Sequence, residues 1–513
     1  MMTRETVCVY EDITASAQRI ERKYWKMVLG RVVGPGCPLP AYALPELSIM
    51  PGHSEVHPND VNLGTRLGCV SLKIPFLSAP MGDVTGAEMA IALSGHGGCG
   101  VVYRFQRVQD QIGSVKEALR RRPFLVENPK SLRPDDTVRE AQRILDEFGF
   151  STIPVITESG AFEGIMFTDK VSFKEHGEDL VSVWMKSVSE LKTVRANTPF
   201  NEVQQRSRNE QECSILPVLN DDSSLAGFYF MKDTADANPV TYEGKPLVGM
   251  AINDREEDIT ERVIPCLDLG VGIVVIDSSH GNCRAVIDQV SRLKKVIGNR
   301  NVCIVAGNVA DIDGYLRLSA AGADVVKLGI GPGSICTTSI GTGIGYPMFT
   351  LIQKISFARR YSKRIAGIVT ADIVADGSIN TPGDVVKALA AGADAIMGGK
   401  MFVAASESVS FLVNGTTDGT VSYSGEASEK AIRARSAENR YGKGKRAAEG
   451  VSGSVRHLGP LRKWFPKVLE LVCGGLAHTG SNTIAELQTY CLETIGAWAI
   501  LTPAGREQNA PRV

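Results

Sequence analysis

Apolar residues along this chain fall into short, nearly unbroken runs separated by amphipathic stretches. Phe76-Leu77-Ser78-Ala79, Val101-Val102-Tyr103, Val248 to Ile252, Gly272 to Asp277, Val302 to Asn308, Val325 to Ile330, Gly367 to Ile373 and Ala395 to Gly399 each read as a strand buried on both faces. Between them Ala87 to Leu93, Ala285 to Ile297 and Asp384 to Leu389 carry apolar residues at helical spacing. Eight strands alternating with helices predict an α/β fold, a closed (β/α)8 TIM barrel. An open doubly wound sheet also uses βαβ units, but the strand count and the polar residues at the strands' C-terminal ends favour the barrel. Ala320-Ala321-Gly322-Ala323-Asp324 returns as Ala390-Ala391-Gly392-Ala393-Asp394, each time just ahead of an apolar run, and each glycine is expected to cap a helix.

The alternation breaks between about Pro129 and Ala237. Thr137, Glu140, Gln142, Pro154 and Gly164 recur as Thr198, Glu202, Gln204, Pro217 and Gly227, and Ser151 to Ile156 parallels Ser214 to Leu219. An internal duplication explains the echo. The expected organisation is a barrel begun over 1–125, an inserted α+β pair of modules over 126–238, and the rest of the barrel over 239–513, with a mobile flap near 420–455.

Composition narrows the partners. The chain has 513 residues, 43% hydrophobic and 22% charged, with a formal net charge of -1, so no overall positive field favours nucleic acid or anionic lipid. Eleven cysteines without paired ligand spacings point to neither a disulfide framework nor a zinc site, and they fit a reducing compartment. No stretch has the length and apolarity of a membrane span or a signal core. A cytoplasmic address is expected. Pro511-Arg512-Val513 differs from the Ser-Lys-Leu peroxisomal signal and gives that route no clear support, so import into a peroxisome-like organelle such as a glycosome is neither indicated nor excluded.

The chemistry concentrates in Gly329-Ile330-Gly331-Pro332-Gly333-Ser334-Ile335-Cys336-Thr337-Thr338. Glycines let a backbone turn tightly and aim N–H groups at a phosphate, while a thiol on the same loop can attack an electrophilic carbon. A small buried cysteine after a flexible turn is the plainer reading of these residues alone.

With Asp277-Ser278-Ser279-His280-Gly281, Ala375-Asp376-Gly377, Met50 to Val56, Ser78-Ala79-Pro80-Met81 and Gly307-Asn308-Val309, the loop resembles the IMP dehydrogenase and GMP reductase family over nearly the whole chain. The resemblance implies a redox enzyme whose loop cysteine attacks C2 of a purine nucleotide. Lys327 to Gly333, Thr342 to Pro347 and Arg446-Ala447-Ala448-Glu449-Gly450 are similar to reductase signatures. Asp277-Ser278-Ser279 and Asn439-Arg440-Tyr441 are similar to dehydrogenase ones. The expected activity is therefore NADPH-dependent conversion of GMP to IMP. Oxidation of IMP to XMP with NAD is the alternative, and a nucleotide-sensing assembly protein with little catalysis a second one.

Carried over by this resemblance, Cys336 is the nucleophile, and Thr338 with Glu449 moves protons. Met81, Ser334, Asp376, Gly377, Ser378, Gly399, Lys400, Gly425, Glu426, Arg446 and Gly450 would meet the nucleotide, and Asp277, Ser278, Ser279, Ile330 and Gly331 the nicotinamide cofactor. Backbone carbonyls of Gly331, Gly333 and Cys336 would hold a monovalent cation such as potassium. Ser378, Lys400 and Glu426 depart from the reductase pattern, and Gly474 to Asn482 is shorter than the reductase stretch that holds NADPH. Glu426 is expected to accept from the guanine edge or to face solvent. The insert resembles a tandem cystathionine-β-synthase (CBS) pair, with Thr168, Asp169 and Asp233 at regulatory purine nucleotides (ATP, GTP or GMP). The family resemblance implies a homotetramer, and paired modules an octamer.

Overall fold

The computed structural model describes residues 4–29, 39–127, 129–148, 151–209, 214–235, 237–254, 257–365, 370–429, 431, 448 and 450–508. They form two compact units, Met1–Arg121 with Pro239–Val513, and Arg122–Asn238.

In the first unit eight parallel strands close into a barrel: β1 (Phe76–Ser78), β2 (Cys99–Val102), β3 (Val248–Ile252), β4 (Ile273–Asp277), β5 (Cys303–Val309), β6 (Val325–Leu328), β7 (Asp372–Asp376) and β8 (Ala395–Gly398). Each pairs with the next in chain order and β8 returns to β1, Met397 opposite Leu77. The strands are buried along nearly their whole length, which is why their apolar runs are continuous rather than alternating. All eight expected strands are present. The seventh, expected over Gly367–Ile373, is Asp372–Asp376 among the described residues, with Ile373, Val374 and Ala375 packed in the core and 367–369 outside the described residues.

Helices α1 (Arg4–Leu29), α2 (Ala87–Gly95), α3 (Arg284–Ile297), α4 (Ile312–Ala321), α5 (Met348–Ile365) and α6 (Pro382–Ala390) belong to this unit. Gly322 ends α4 in the left-handed conformation at φ 106°, and Gly392 follows α6 at φ 116°, so both copies of the Ala-Ala-Gly-Ala-Asp repeat turn on their glycine. An antiparallel ribbon, β9 (Thr420–Ser424) with β10 (Ser452–Arg456), stands outside the barrel.

The second unit holds two small sheets. Strands Thr152–Ile156 and Phe162–Phe167 pair antiparallel in one, and Ile215–Leu219 and Leu225–Phe230 in the other, so the duplicated sequence folds into duplicated hairpins. Val155 lies opposite Gly164 and Val218 opposite Gly227, the same register in both copies. Leu125–Val126 adds to the second sheet against Phe228 and Tyr229, which draws the start of this unit back from 126 to Arg122.

Candidate active site

Strand β6 delivers the chain to the C-terminal mouth of the barrel, the end where loops of this fold build active sites. Gly329 follows at φ 133°, and a Cβ there would lie 2.1 Å from the Asp376 carbonyl oxygen, so only glycine passes this crossing of two strand ends. The loop then bends back: the Cys336 N–H donates to the Gly333 carbonyl (3.0 Å), and the Tyr346 N–H to the Ile330 carbonyl (3.1 Å). Cys336 is half-buried, with its Sγ 3.2 Å from Thr338 Oγ1 at the start of a short helix, Thr338–Thr342.

The segments flanking the β-ribbon lie along this loop. Cys336 pairs with Gly450 in an antiparallel bridge, and the Val451 N–H donates to the Ile335 carbonyl (3.0 Å). Gly425 donates in turn to the Val451 carbonyl (3.0 Å). Glu426 neither faces solvent freely nor points only at a ligand, since its Oε1 accepts the Gly82 N–H at 2.8 Å and so ties the segment after β9 to the loop after β1. Ser378, at φ 58°, donates its hydroxyl to the Pro332 carbonyl (2.7 Å) and ties the loop after β7 to the cysteine loop.

The resulting cleft encloses about 380 Å³. Met81, Asp277, Ser278, Ser279, Ile330, Gly331, Gly333, Ser334, Cys336, Thr338, Asp376, Gly377, Ser378, Gly399, Lys400, Gly425, Glu426 and Gly450 all line it. The barrel residues assigned to catalysis, nucleotide, nicotinamide or cation are thus brought to one cavity, except Glu449 and Arg446, which lie outside the described residues together with Asn439, Arg440 and Tyr441. Thr168, Asp169 and Asp233 belong to the other unit. Thr168 and Asp169 open a turn directly after Phe162–Phe167, and Asp233 sits in the helix directly after Leu225–Phe230, so they occupy corresponding places in the two copies. Thr168 is buried, with its hydroxyl 3.3 Å from the Ser151 carbonyl.

Sequence reasoning missed the charges beneath the cleft. Lys327, 2% exposed, projects from the middle of β6 with its ammonium 2.9 Å from Asp277 Oδ1, and it also hydrogen-bonds Asp376 and Asn308. Arg104 pairs with the other oxygen of Asp277, while Asn308 donates to Asp376 (3.0 Å) and to the Gly329 carbonyl (2.7 Å). Burial alone would raise the Asp277 carboxyl, but the Arg104 and Lys327 cations outweigh it and hold it down at about 2. Burial likewise works against the charge on Lys327, and the two carboxylates reverse that and raise its pKa. A lysine inside the apolar run Val325-Val326-Lys327-Leu328 was the available signal, because a buried ammonium needs anionic partners.

Among the described residues no group of three or more His, Cys, Asp or Glu side chains is arranged to hold a metal ion.

The IMP dehydrogenase / GMP reductase domain model matches residues 41–508. The chain belongs to this family. The inosine-5'-monophosphate dehydrogenase of Aquifex aeolicus (strain VF5) is 32% identical over 455 residues, 86% of this chain and 90% of that protein. The enzyme of the same name from Escherichia coli (strain K12) is 33% identical over 460 residues, 88% and 92% of the two chains. Among solved structures, a cysteine-to-alanine GMP reductase from Trypanosoma brucei in complex with guanosine 5'-monophosphate has a TM-score of 0.64 at 27% identity, covering 93% of this chain and 98% of that one. The same organism's reductase in complex with guanosine 5'-triphosphate gives 0.54 at 25% identity, over 89% and 97%. Family membership makes the chain an oxidoreductase of purine nucleotides. No helix among the described residues is long and apolar enough to cross a membrane.

Proposed function

We propose that the chain is a GMP reductase, converting GMP to IMP and ammonia, with its cleft holding the nucleotide over Cys336. The observation that carries this reading is the pairing of Cys336 with Gly450. Gly450 closes the Arg446-Ala447-Ala448-Glu449-Gly450 run that resembles the reductase segment, and Tyr346-Pro347 beyond the loop adds a second resemblance. The match over 98% of the trypanosomal reductase chain supports the same direction.

In this reading the Cys336 thiolate adds to C2 of GMP, and the exocyclic amine leaves as ammonia with a proton relayed through Thr338 and Glu449, giving a thioimidate. NADPH, when bound, would supply the hydride for C2, so that GMP, NADPH and two protons would become IMP, NADP⁺ and ammonium. The thiolate then departs and Cys336 is regenerated. Asp376 takes the ribose hydroxyls, and Ser334, Gly399 and Lys400 the phosphate, with Lys400 supplying a cation where the backbone supplies N–H groups. Asp277, Ser278, Ser279, Ile330 and Gly331 hold the nicotinamide side, and their mix of carboxylate, hydroxyl and backbone groups beside apolar Ile330 fits an amide-bearing ring. Potassium at the carbonyls of Gly331, Gly333 and Cys336 would stiffen the loop.

The second reading is IMP dehydrogenase, favoured by the names of the curated relatives and by Asp277-Ser278-Ser279. The Arg122–Asn238 unit is read as a tandem CBS pair that senses ATP, GTP or GMP through Thr168, Asp169 and Asp233, in a tetramer that two copies of the pair can join into an octamer. Its duplicated hairpins support this. The deciding assay follows NADPH oxidation with GMP against NADH formation with IMP and NAD, in potassium buffer. Turnover in the first pairing is expected. Turnover only in the second assigns the dehydrogenase, and silence in both, with nucleotide effectors present, assigns the sensor.

A further inference from the structure

Helix α1 lies ahead of the residues matched by the family model, 41–508. Its buried residues Ala17, Ile20, Tyr24 and Trp25 recur at helical spacing and form one face, laid over α4 and α5. Tyr24 meets Phe357 of α5 with ring centroids 5.6 Å apart, Lys23 Nζ stands 4.6 Å above the Tyr361 ring, and Thr14 donates to Asp313 of α4 (2.9 Å). These contacts dock the helix.

A further contact leads to the catalytic loop. Lys354 of α5 is 3% exposed, and its ammonium lies 3.0 Å from Glu21 Oε1 and 4.6 Å from the centre of the Tyr346 ring. Burial and the neighbouring Glu21 carboxylate push the Tyr346 phenol up to about 12, an electrostatic sign that the two side chains share one space. Tyr346 is the residue whose N–H closes the neck of the Cys336 loop on Ile330. Beside it, a Cβ on Gly345 would come within 2.9 Å of Ser339 Cβ, so the returning strand of the loop has no slack. A buried ammonium is held where its counter-charge is, and a desolvated cation over an aromatic face holds the ring in turn.

We propose that Glu21, acting through Lys354 and Tyr346, is a positioning residue for the Cys336 loop, so that α1 sets the thiol's place in the cleft from outside the family domain. The inference rests on Cys336 being the nucleophile and is independent of which of the two reactions follows. Glu21→Gln removes the charge and keeps the shape, and Lys354→Met removes the ammonium and keeps the bulk. Lys23→Gln, on the same helix but set over Tyr361 of α5, is the control.

The readouts are the rate at which iodoacetamide alkylates Cys336, followed by peptide mass, and steady-state kinetics on the full chain. Glu21→Gln and Lys354→Met are expected to change the alkylation rate and to lower kcat by about 10-fold while nucleotide KM stays within about 2-fold, the pattern of a displaced reacting group. Lys23→Gln should leave both readouts at wild-type values. Wild-type alkylation and kcat in Glu21→Gln and Lys354→Met would overturn the proposal, and so would an equal loss in Lys23→Gln, which would mean that docking alone matters. If either single variant fails to fold, the double replacement Glu21→Leu with Lys354→Met removes both charges together and takes its place. Cys336→Ala separates the underlying reading: turnover in that variant refutes covalent catalysis, while the alkylation result for the others still reports the loop.

Discussion

At the N-terminal end of the barrel, Asp324 and Asp394 stand just before β6 and β8 and turn their carboxylates to backbone. Asp324 accepts the Ile304 N–H (2.8 Å) and Asp394 the Ile373 N–H (2.7 Å), each from the neighbouring strand, and Asp372 accepts the Gly68 N–H (2.8 Å). Lys294 and Arg359 neutralise Asp324 and Asp394 from outside. At the C-terminal end Asp277 and Asp376 share one buried cation, Lys327, and both also face the cleft. The same residue types therefore serve two purposes. Carboxylates satisfied by neighbouring backbone hold the sheet closed, whereas those that share the buried Lys327 ammonium line the cleft.

The largest effect that tests this contrast comes from Lys327→Met. It leaves two half-buried carboxylates without the buried cation they share, and losing one partner of a buried ionic set costs about 3 to 5 kcal/mol. Urea unfolding should show that loss, and kcat should fall by about 100-fold as the two sides of the cleft lose their common anchor. A variant that kept its stability and lost only activity would mean that Arg104 and Asn308 already suffice to hold the carboxylates.

Acid titration of stability sharpens the same point. The Asp277 carboxyl is held at about 2, below its value in an unfolded chain. Its stabilisation is therefore complete above about pH 4 and is lost as the pH falls towards 2, an amount of about 2 kcal/mol. Wild type and Asp277→Asn should differ in the slope of stability against pH across that window, and parallel profiles would contradict the ion-pair account.

At the opposite end Asp394→Asn keeps an oxygen for the Ile373 N–H and loses the charge that faces Arg359. A stability loss of about 1 to 2 kcal/mol is expected, with kcat and nucleotide KM at wild-type values. A fall in kcat comparable to that of Lys327→Met would erase the distinction between the two ends.

The repeat that contains Asp394 shows what was legible in advance. Ala-Ala-Gly-Ala-Asp was read as a helix cap before a strand, and that is what both copies do, because a left-handed glycine and a following apolar run are local signals. The reach of the two aspartates to the strand beside them was not legible, since it depends on which strands become neighbours. The loop bearing Cys336 was found by its glycines, and residues that line the cleft were placed by resemblance. Arg104 and Asn308 went unassigned because their contacts with Asp277 and Asp376 span 173 and 68 residues respectively. Of the expected seventh strand, residues 367–369 lie outside the described residues, and the described strand begins at Asp372.

The smallest expected effect lies at Ser378, where a departure from the reductase pattern meets a measurable backbone constraint. Its φ of 58° is a conformation that costs a residue with a Cβ about 1 kcal/mol, while the hydroxyl bond to the Pro332 carbonyl returns about as much. Ser378→Gly removes both and should leave stability within about 0.5 kcal/mol of wild type, whereas Ser378→Ala keeps the strain, loses the bond and should be about 1 kcal/mol less stable. Thermal unfolding of the pair separates the two contributions. Equal losses in both would show that the hydroxyl outweighs the strain, so that serine here is a tie between the loops after β6 and β7 rather than a tolerated substitute for glycine.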